Sequence, residues 1–221
     1  MQLTAFAQWL NNTFFSFDYA ILASLHSLAV SAGEFFTPFF KMFSFLGDNA
    51  LLIFAVAIVM LFFKKTRRTG ICMIVSVLLS AVLCNGIIKE LVLRPRPYLC
   101  SAVPEFHRWW TYTGSVIETQ TSFPSGHTTV NMAGVTALVF TYPFRKKYIW
   151  ISYIYVLLVG ISRNYLCVHY PTDVIGGMIT GALAALAGIY LVSLLYYLMN
   201  KHRNVRFFAA VLDSDIKKTK K

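Results

Sequence analysis

A chain of 221 residues that is 57% hydrophobic and only 13% charged, with mean hydropathy +0.60, is too apolar for a soluble domain, in which about a quarter of residues are charged. The surplus apolar surface has to face lipid, which leaves one integral membrane domain over residues 1–221 and no room for a second. The net charge of +11 would suit nucleic acid, but 14 of the 20 Lys and Arg lie at residues 64–68, at 145–147 and after Asn200, with no basic face interleaved with aromatics. Clusters of this kind between apolar spans are the positive-inside signature of cytoplasmic ends and argue against a nucleic-acid partner.

The N-terminal residues 1–17 lack a basic n-region and a small-residue cleavage site, so they are not read as a cleaved signal peptide. Trp9 and the neighbouring phenylalanines predict an interfacial helix there. Residues 19–46, apolar but interrupted by His26, Glu34, Pro38 and Lys41, are read as a first span. Residues 49–63 and 70–92 follow on either side of the first basic cluster, the second with the length a bilayer needs. Residues 93–123 form a polar stretch too long for a structureless connection and therefore functional. Its Trp109, Trp110 and Tyr112 suit a membrane-interface belt, and its His107, Arg108 and Glu118 are read as solvated loop residues. Residues 125–142, 148–166 and 173–199 complete an all-α integral membrane bundle of about six transmembrane helices. The motif-bearing core is 70–199, and 201–221 is a basic cytoplasmic tail lying on anionic headgroups. Gly176, Gly177, Gly181 and Gly188 predict close helix packing within the bundle.

Counting spans from the basic clusters places the span ends at Lys89, Ser125, Arg163 and Asp173 together on the outer, extracytoplasmic face. Three polar islands therefore meet there. In the first, Lys89 and Arg96 flank a segment containing Arg94, with Pro95 and Pro97 fixing the chain; arginine forks bind phosphate oxygens in pairs and lysine adds a point charge. In the second, Ser125 is placed as the N-cap of an apolar helix, Gly126 allows close approach of the backbone to a ligand, and His127 projects from the first turn. A helix N-terminus suits a phosphate. In the third, Arg163, His169 and Asp173 stand within twelve positions between two apolar segments. A histidine beside a carboxylate can be nucleophile, base or metal ligand. The four cysteines, at 72, 84, 100 and 167, have no metal-site spacing, so the preferred reading is a site with no metal and no cofactor. There Asp173 accepts the proton of one ring nitrogen of His169 and leaves the other free to attack phosphorus. Cys100 and Cys167 both fall toward the outer face, where a disulfide is open.

Lys89-x6-Arg96-Pro97, Pro124-Ser125-Gly126-His127 and Ser162-Arg163-x5-His169-x3-Asp173 resemble the three signature motifs of the type 2 phosphatidic acid phosphatase (PAP2) superfamily, complete and in order. The resemblance covers roughly residues 70–199. It implies that His169 attacks phosphate to give a phosphohistidine, that Asp173 orients it, and that His127 protonates the leaving group and then activates water. It also implies that Lys89, Arg96, Ser125, Gly126 and Arg163 hold the phosphoryl oxygens, without a divalent metal. The expected function is a phosphatase of a lipid phosphate or diphosphate at the outer face of the cell membrane, with undecaprenyl diphosphate as the leading substrate. Phosphatidylglycerophosphate, phosphatidate and lipid A are the other candidates. Transfer of the phosphoryl group to another acceptor, or a non-enzymatic membrane role, are the readings of other classes. Oligomeric state is not legible.

Overall fold

The computed structural model describes residues 3–143 and 146–205; Arg145 and most of the expected basic tail lie outside the described residues. The described chain is helical: α1 (Ala5–Ser31), α2 (Thr37–Gly47), α3 (Leu51–Leu61), α4 (Lys64–Ala81), α5 (Lys89–Val92), α6 (Pro104–Tyr112), α7 (Gly126–Thr141), α8 (Lys146–Tyr165) and α9 (Pro171–Lys201). Prolines set several of these starts, since Pro38, Pro104 and Pro171 sit in the first turns of α2, α6 and α9, where a missing N–H is harmless. Between α2 and α3 the helical path kinks at Asn49 and Ala50, whose φ angles are 47° and 54°. Between α4 and α5 it loosens into a π-turn over Val82–Ile88 without breaking, a feature that recurs near functional sites.

The bundle is built around α7, packed against α4 and α9. Its face from Thr128 to Ala137 is almost wholly buried, so it tolerates Thr128, Thr129, Asn131 and Thr136 within a membrane protein. The core joins Ile53 and Ala57 of α3, Met73 and Val77 of α4, Val130 and Val135 of α7, Val156 of α8 and Val192 of α9. As expected of close packing, Gly177 and Gly181 bring α9 onto α7, and Gly188 brings it onto Ser76 of α4. A Cβ at Gly181 would lie 2.4 Å from the Thr129 carbonyl oxygen, and one at Gly177 2.8 Å from that of Ser125.

Two ends of the bundle have opposite character. Thr69 Oγ1 donates to the Thr141 carbonyl at 3.1 Å and Arg68 Nη2 to Ser193 Oγ at 2.9 Å. The first basic cluster therefore meets the C-terminal halves of α7 and α9 at one end. Lys89, Gly126, Arg163 and Asp173 lie at the other. Four helical stretches, Ala5–Ser31, Thr37–Leu61, Lys64–Leu99 and Pro171–Lys201, are long and apolar enough to cross a membrane, where about six were expected.

The N-terminal region differs from expectation. No helix ends at Phe17 and no span covers 19–46; α1 runs unbroken from Ala5 to Ser31, and the chain turns where Gly33 and Glu34 take φ of 55° and 64°. Nothing between residues 17 and 19 breaks a helix, whereas Gly33 does. Among the described residues, α1 makes contacts at the site end. Leu10 packs with Val92, Tyr19 with Phe106, His26 with Trp109, and Ala29 with Tyr165 and Leu166. Residues 93–123 are also ordered: a 3-10 turn at Pro97–Leu99 and α6 cover this end. Trp109 stacks on His26 and Trp110 on Tyr98, with ring centroids 5.2 and 4.6 Å apart, and both stay partly exposed. All four cysteines are free, and no Cys100–Cys167 bridge forms.

Candidate active site

Four helix ends converge on a cavity of about 270 Å³. Its walls include Asn85 and Lys89 from the end of the α4–α5 path, Arg96 and Gln120 from the loop, Gly126 and His127 from the start of α7, and His169 from the α8–α9 connection. A second cavity of about 430 Å³ adjoins it, sharing Asp48, Glu118 and His127 and adding Arg163, Ser44, Phe45 and Ile117. The sequence-derived residues are thus brought together around two connected spaces, with Ser125 and Asp173 directly behind.

His169 is 1% exposed. Its Nε2 lies 3.2 Å from Arg96 Nη1, and its Nδ1 lies 3.6 Å from Asp173 Oδ2. A guanidinium only donates, so the nitrogen facing it is the unprotonated one, and the ring proton sits on Nδ1, toward the carboxylate. Burial, helped by the positive charge of Arg96, pushes the His169 pKa down to about 3; the ring is neutral at any ordinary pH.

Asp173 is fully buried and accepts three hydrogen bonds. Oδ1 accepts from Arg94 Nη1 at 2.6 Å; Oδ2 accepts from Ser122 Oγ at 2.5 Å and from the Tyr170 N–H at 2.8 Å. The last bond is half of a capping box that starts α9. The Asp173 carbonyl accepts from the Ser125 N–H at 3.0 Å, which ties the start of α7 to the start of α9.

The cations are held in place. Lys89, 4% exposed, donates from Nζ to Gln120 Oε1 at 2.7 Å. Arg96 donates to the carbonyls of Gln120 at 2.8 Å and Val168 at 2.9 Å, and its Nη2 lies 3.5 Å from Glu118 Oε2. Arg163 donates to Ser44 and to Glu118. Glu118 is therefore no solvated loop residue. It is drawn in because two buried guanidinium groups offer more than water does.

Ser125 holds the N-cap position of α7, but its hydroxyl accepts from Thr128 Oγ1 at 3.1 Å in place of a helix N–H. The first-turn N–H groups of α7 are left without that cap. A Cβ at Gly126 would come 3.6 Å from Lys89 Nζ, into the space between them. His127 Nε2 lies 3.5 Å from Asp48 Oδ1, which the α2–α3 kink brings in. Asn85 Oδ1, Arg163 Nε and His169 Nδ1 are buried with no hydrogen-bond partner among the described residues. Of these, Asn85 and Arg163 line the two adjoining cavities, and unsatisfied buried groups in a cavity wall mark a place for a ligand.

Arg94 departs from the expectation of a phosphate-facing fork. It is turned away from the cavity onto Asp173 and onto Asp18 of α1, 2.9 Å from Nη2. Asp18, Asp48 and Ser122 escape motif reading. Only Asp18 carries a signal, as a lone carboxylate in an apolar helix. Of the other loop residues, Arg108 is exposed and paired with Glu105 at 3.2 Å, and His107 Nδ1 lies 3.2 Å from the Tyr98 carbonyl.

The chain resembles known proteins over most of its length. The family model described as the PAP2 superfamily matches residues 69–202. The chain is similar to the undecaprenyl-diphosphatase of Sulfolobus acidocaldarius, 31% identical over 75% of this chain and 69% of that protein. It is also similar to phosphatidylglycerophosphatase B of Bacillus subtilis, 34% identical over 62% of this chain and 66% of that one. Among solved structures, the first transmembrane PAP2-type phosphatidylglycerolphosphate phosphatase from Bacillus subtilis superposes with a TM-score of 0.53 at 27% identity, covering 84% of this chain and 94% of that one.

Proposed function

The chain belongs to the PAP2 superfamily, and on that premise we propose that it is a membrane phosphatase acting on a lipid phosphate or diphosphate through a phosphohistidine. The observation that carries the reading is the state of His169: neutral, with Nε2 bare beside Arg96 and Nδ1 turned to Asp173. Nε2 attacks phosphorus as the bond to the leaving oxygen breaks. Asp173 stabilises the imidazolium that forms and its 3.6 Å separation from Nδ1 closes in the loaded site. His127 gives its proton to the leaving oxygen, then takes one from the water that splits the P–N bond and releases orthophosphate. Lys89, Arg96, Arg163, Ser125 and the N–H groups at Gly126 hold the equatorial oxygens, where charge grows in the transition state. With three cations from the chain itself, the cage neutralises a phosphate without a metal ion.

The outer-face location is supported by the position of the site at the end of the bundle opposite the first basic cluster. In this topology the α2–α3, α4–α5 and α9 paths, each long and apolar enough to span, cross the bilayer with α7 and α8 packed among them; α1, though of spanning length, lies along the outer interface because it packs at the site end, and the C-terminus is cytoplasmic. Phe45 and Ile117, 65% and 78% exposed beside the Arg163 cavity, give an apolar rim to a phosphate cage, as a lipid substrate requires. Undecaprenyl diphosphate is the substrate we favour, supported by the Sulfolobus relative; phosphatidylglycerophosphate is the second reading, supported by the Bacillus relatives.

The test is phosphate release by the detergent-purified protein, with a chelator present, from undecaprenyl diphosphate, phosphatidylglycerophosphate and phosphatidate. Release that survives chelation and vanishes in His169→Ala supports the reading, and the preferred lipid names the substrate. Release only with added metal, or undiminished in His169→Ala, overturns the mechanism.

A further inference from the structure

We propose that Asp18 is a positioning residue for this reaction: from α1 it holds one arm of Arg94, and thereby keeps Asp173 free to face His169. The inference rests on the roles of His169 and Asp173 given above.

Asp18 is the one Asp, Glu, Lys or Arg in the 27 residues of α1, and it is 1% exposed. A carboxylate in such a place is destabilising unless fully paired, and this one is. Oδ2 accepts from Arg94 Nη2 at 2.9 Å and from Thr172 Oγ1 at 2.7 Å, while Oδ1 accepts from the Thr172 N–H at 2.9 Å. Asp18 lies outside the residues that the family model matches, 69–202. The support therefore comes from the N-terminal helix, and it reaches the first turn of α9 one residue from Asp173.

The geometry of the Arg94 fork gives the pairing its consequence. A guanidinium matches one carboxylate best by placing two parallel N–H groups on its two oxygens. Here the fork is divided between two carboxylates: Nη1 goes to Asp173 Oδ1 at 2.6 Å and Nη2 to Asp18 Oδ2 at 2.9 Å. Nε is taken by Asn11 Oδ1 at 2.8 Å, also from α1, and the guanidinium carbon lies 3.9 Å from the centre of the Tyr170 ring. Held at three edges, Arg94 touches only Oδ1 of Asp173. Oδ2 is left to Ser122, to the Tyr170 N–H and to the Nδ1 side of His169. Without the charge of Asp18, Arg94 Nη2 and the two Thr172 donors are left with one neutral acceptor oxygen among them, the fork turns to clasp both oxygens of Asp173, and His169 loses the acceptor that orients it. Neither Asp18 nor Arg94 lines the cavity that holds His127 and His169, so substrate binding is untouched while turnover falls.

The experiment is Asp18→Asn in the full-length protein in detergent, with kcat, KM and the inhibition constant of orthophosphate measured beside wild type and His169→Ala. The expected result is a kcat lowered about tenfold, the worth of one hydrogen bond to a charged group. KM and the orthophosphate constant stay within about twofold of wild type, as for an interaction felt only in the transition state. An unchanged kcat overturns the proposal. So does an orthophosphate constant that weakens as much as kcat falls, because that is a collapsed site. Should Asp18→Asn not be recovered folded, Asn11→Ala removes a neutral partner of the same guanidinium. It must then lower kcat at an unchanged orthophosphate constant, and full activity overturns the proposal. An active His169→Ala would sink the phosphohistidine reading itself, separately from the role of Asp18.

Discussion

Glu118 pairs with Arg163 inside the cavity, its other carboxylate oxygen 3.5 Å from Arg96. It occupies guanidinium edges that a phosphate dianion would use, so anion and carboxylate compete for them. Glu118 keeps 24% of its side chain exposed, which makes the competition modest. Glu118→Gln is expected to tighten inhibition by orthophosphate and vanadate by about fivefold, the scale of a partly solvated ion pair. Weaker or unchanged inhibition would mean that Glu118 serves to align the arginines.

His169→Ala is expected to lower the rate of phosphate release by about a thousandfold or more, because the nucleophile is gone. Asp173→Asn retains the shape but not the charge that faces Nδ1, 3.6 Å away. Its kcat should fall by a similar order, about a thousandfold, while orthophosphate still binds. A fall in kcat of only about twofold for Asp173→Asn would leave the buried ring without need of an orienting carboxylate.

The motif residues were legible because their chemistry is local: a histidine four positions before an aspartate, a glycine at a helix start, a lysine seven before an arginine. The tertiary partners were not. Arg94 and Arg96 look alike in sequence, two residues apart beside prolines, and a regular extended chain would set them on one face, but the chain here is irregular, with Leu93 at a φ of 51°. One meets His169 and the other meets Asp18. Glu118 reads as a loop carboxylate until the fold sets two buried guanidinium groups beside it. The break expected between residues 17 and 19 does not occur, because pairing with Arg94 allows Asp18 to be buried in mid-helix. The glycines of α9 were read correctly, since a small-residue stripe has one main use in a bundle.

The pKa of His169 ties stability to pH. Its folded value, about 3, lies below the ordinary 6.5, so between those limits the unfolded chain takes up a proton that the folded one refuses. The associated stability is complete above pH 6.5 and is lost as pH falls toward 3. Lowering pH from about 6.5 to about 5 should remove about 2 kcal/mol through this group. Thermal melting in detergent, compared with His169→Asn, measures it: the variant should show the shallower fall in Tm with acid. Parallel profiles would assign the acid sensitivity elsewhere.

Gly181 sits where α9 crosses α7, and an added Cβ would meet the Thr129 carbonyl oxygen at 2.4 Å and Met132 Cβ at 2.8 Å. Neither can yield without parting the helices. Gly181→Ala is expected to destabilise by about 1–3 kcal/mol. It should also lower activity, because the same contact line aligns Ser125 with Asp173. Gly86→Ala, which meets nothing within 4 Å, is the control and should melt close to wild type. Equal melting of the two variants would show that the α7–α9 line can relax.

Thr111 is exposed on α6, at the end of the bundle that carries the site. Arg68, whose guanidinium donates to Ser193 Oγ at 2.9 Å, marks the other end. Basic clusters remain on the cytoplasmic side, so a cysteine at Thr111 should lie outside. In a Cys100→Ser background, which removes the one half-exposed native thiol, Thr111→Cys should react with a membrane-impermeant maleimide added to intact cells. Labelling only after the cytoplasmic face is opened would invert the topology, and the phosphatase would then act on lipids of the inner leaflet.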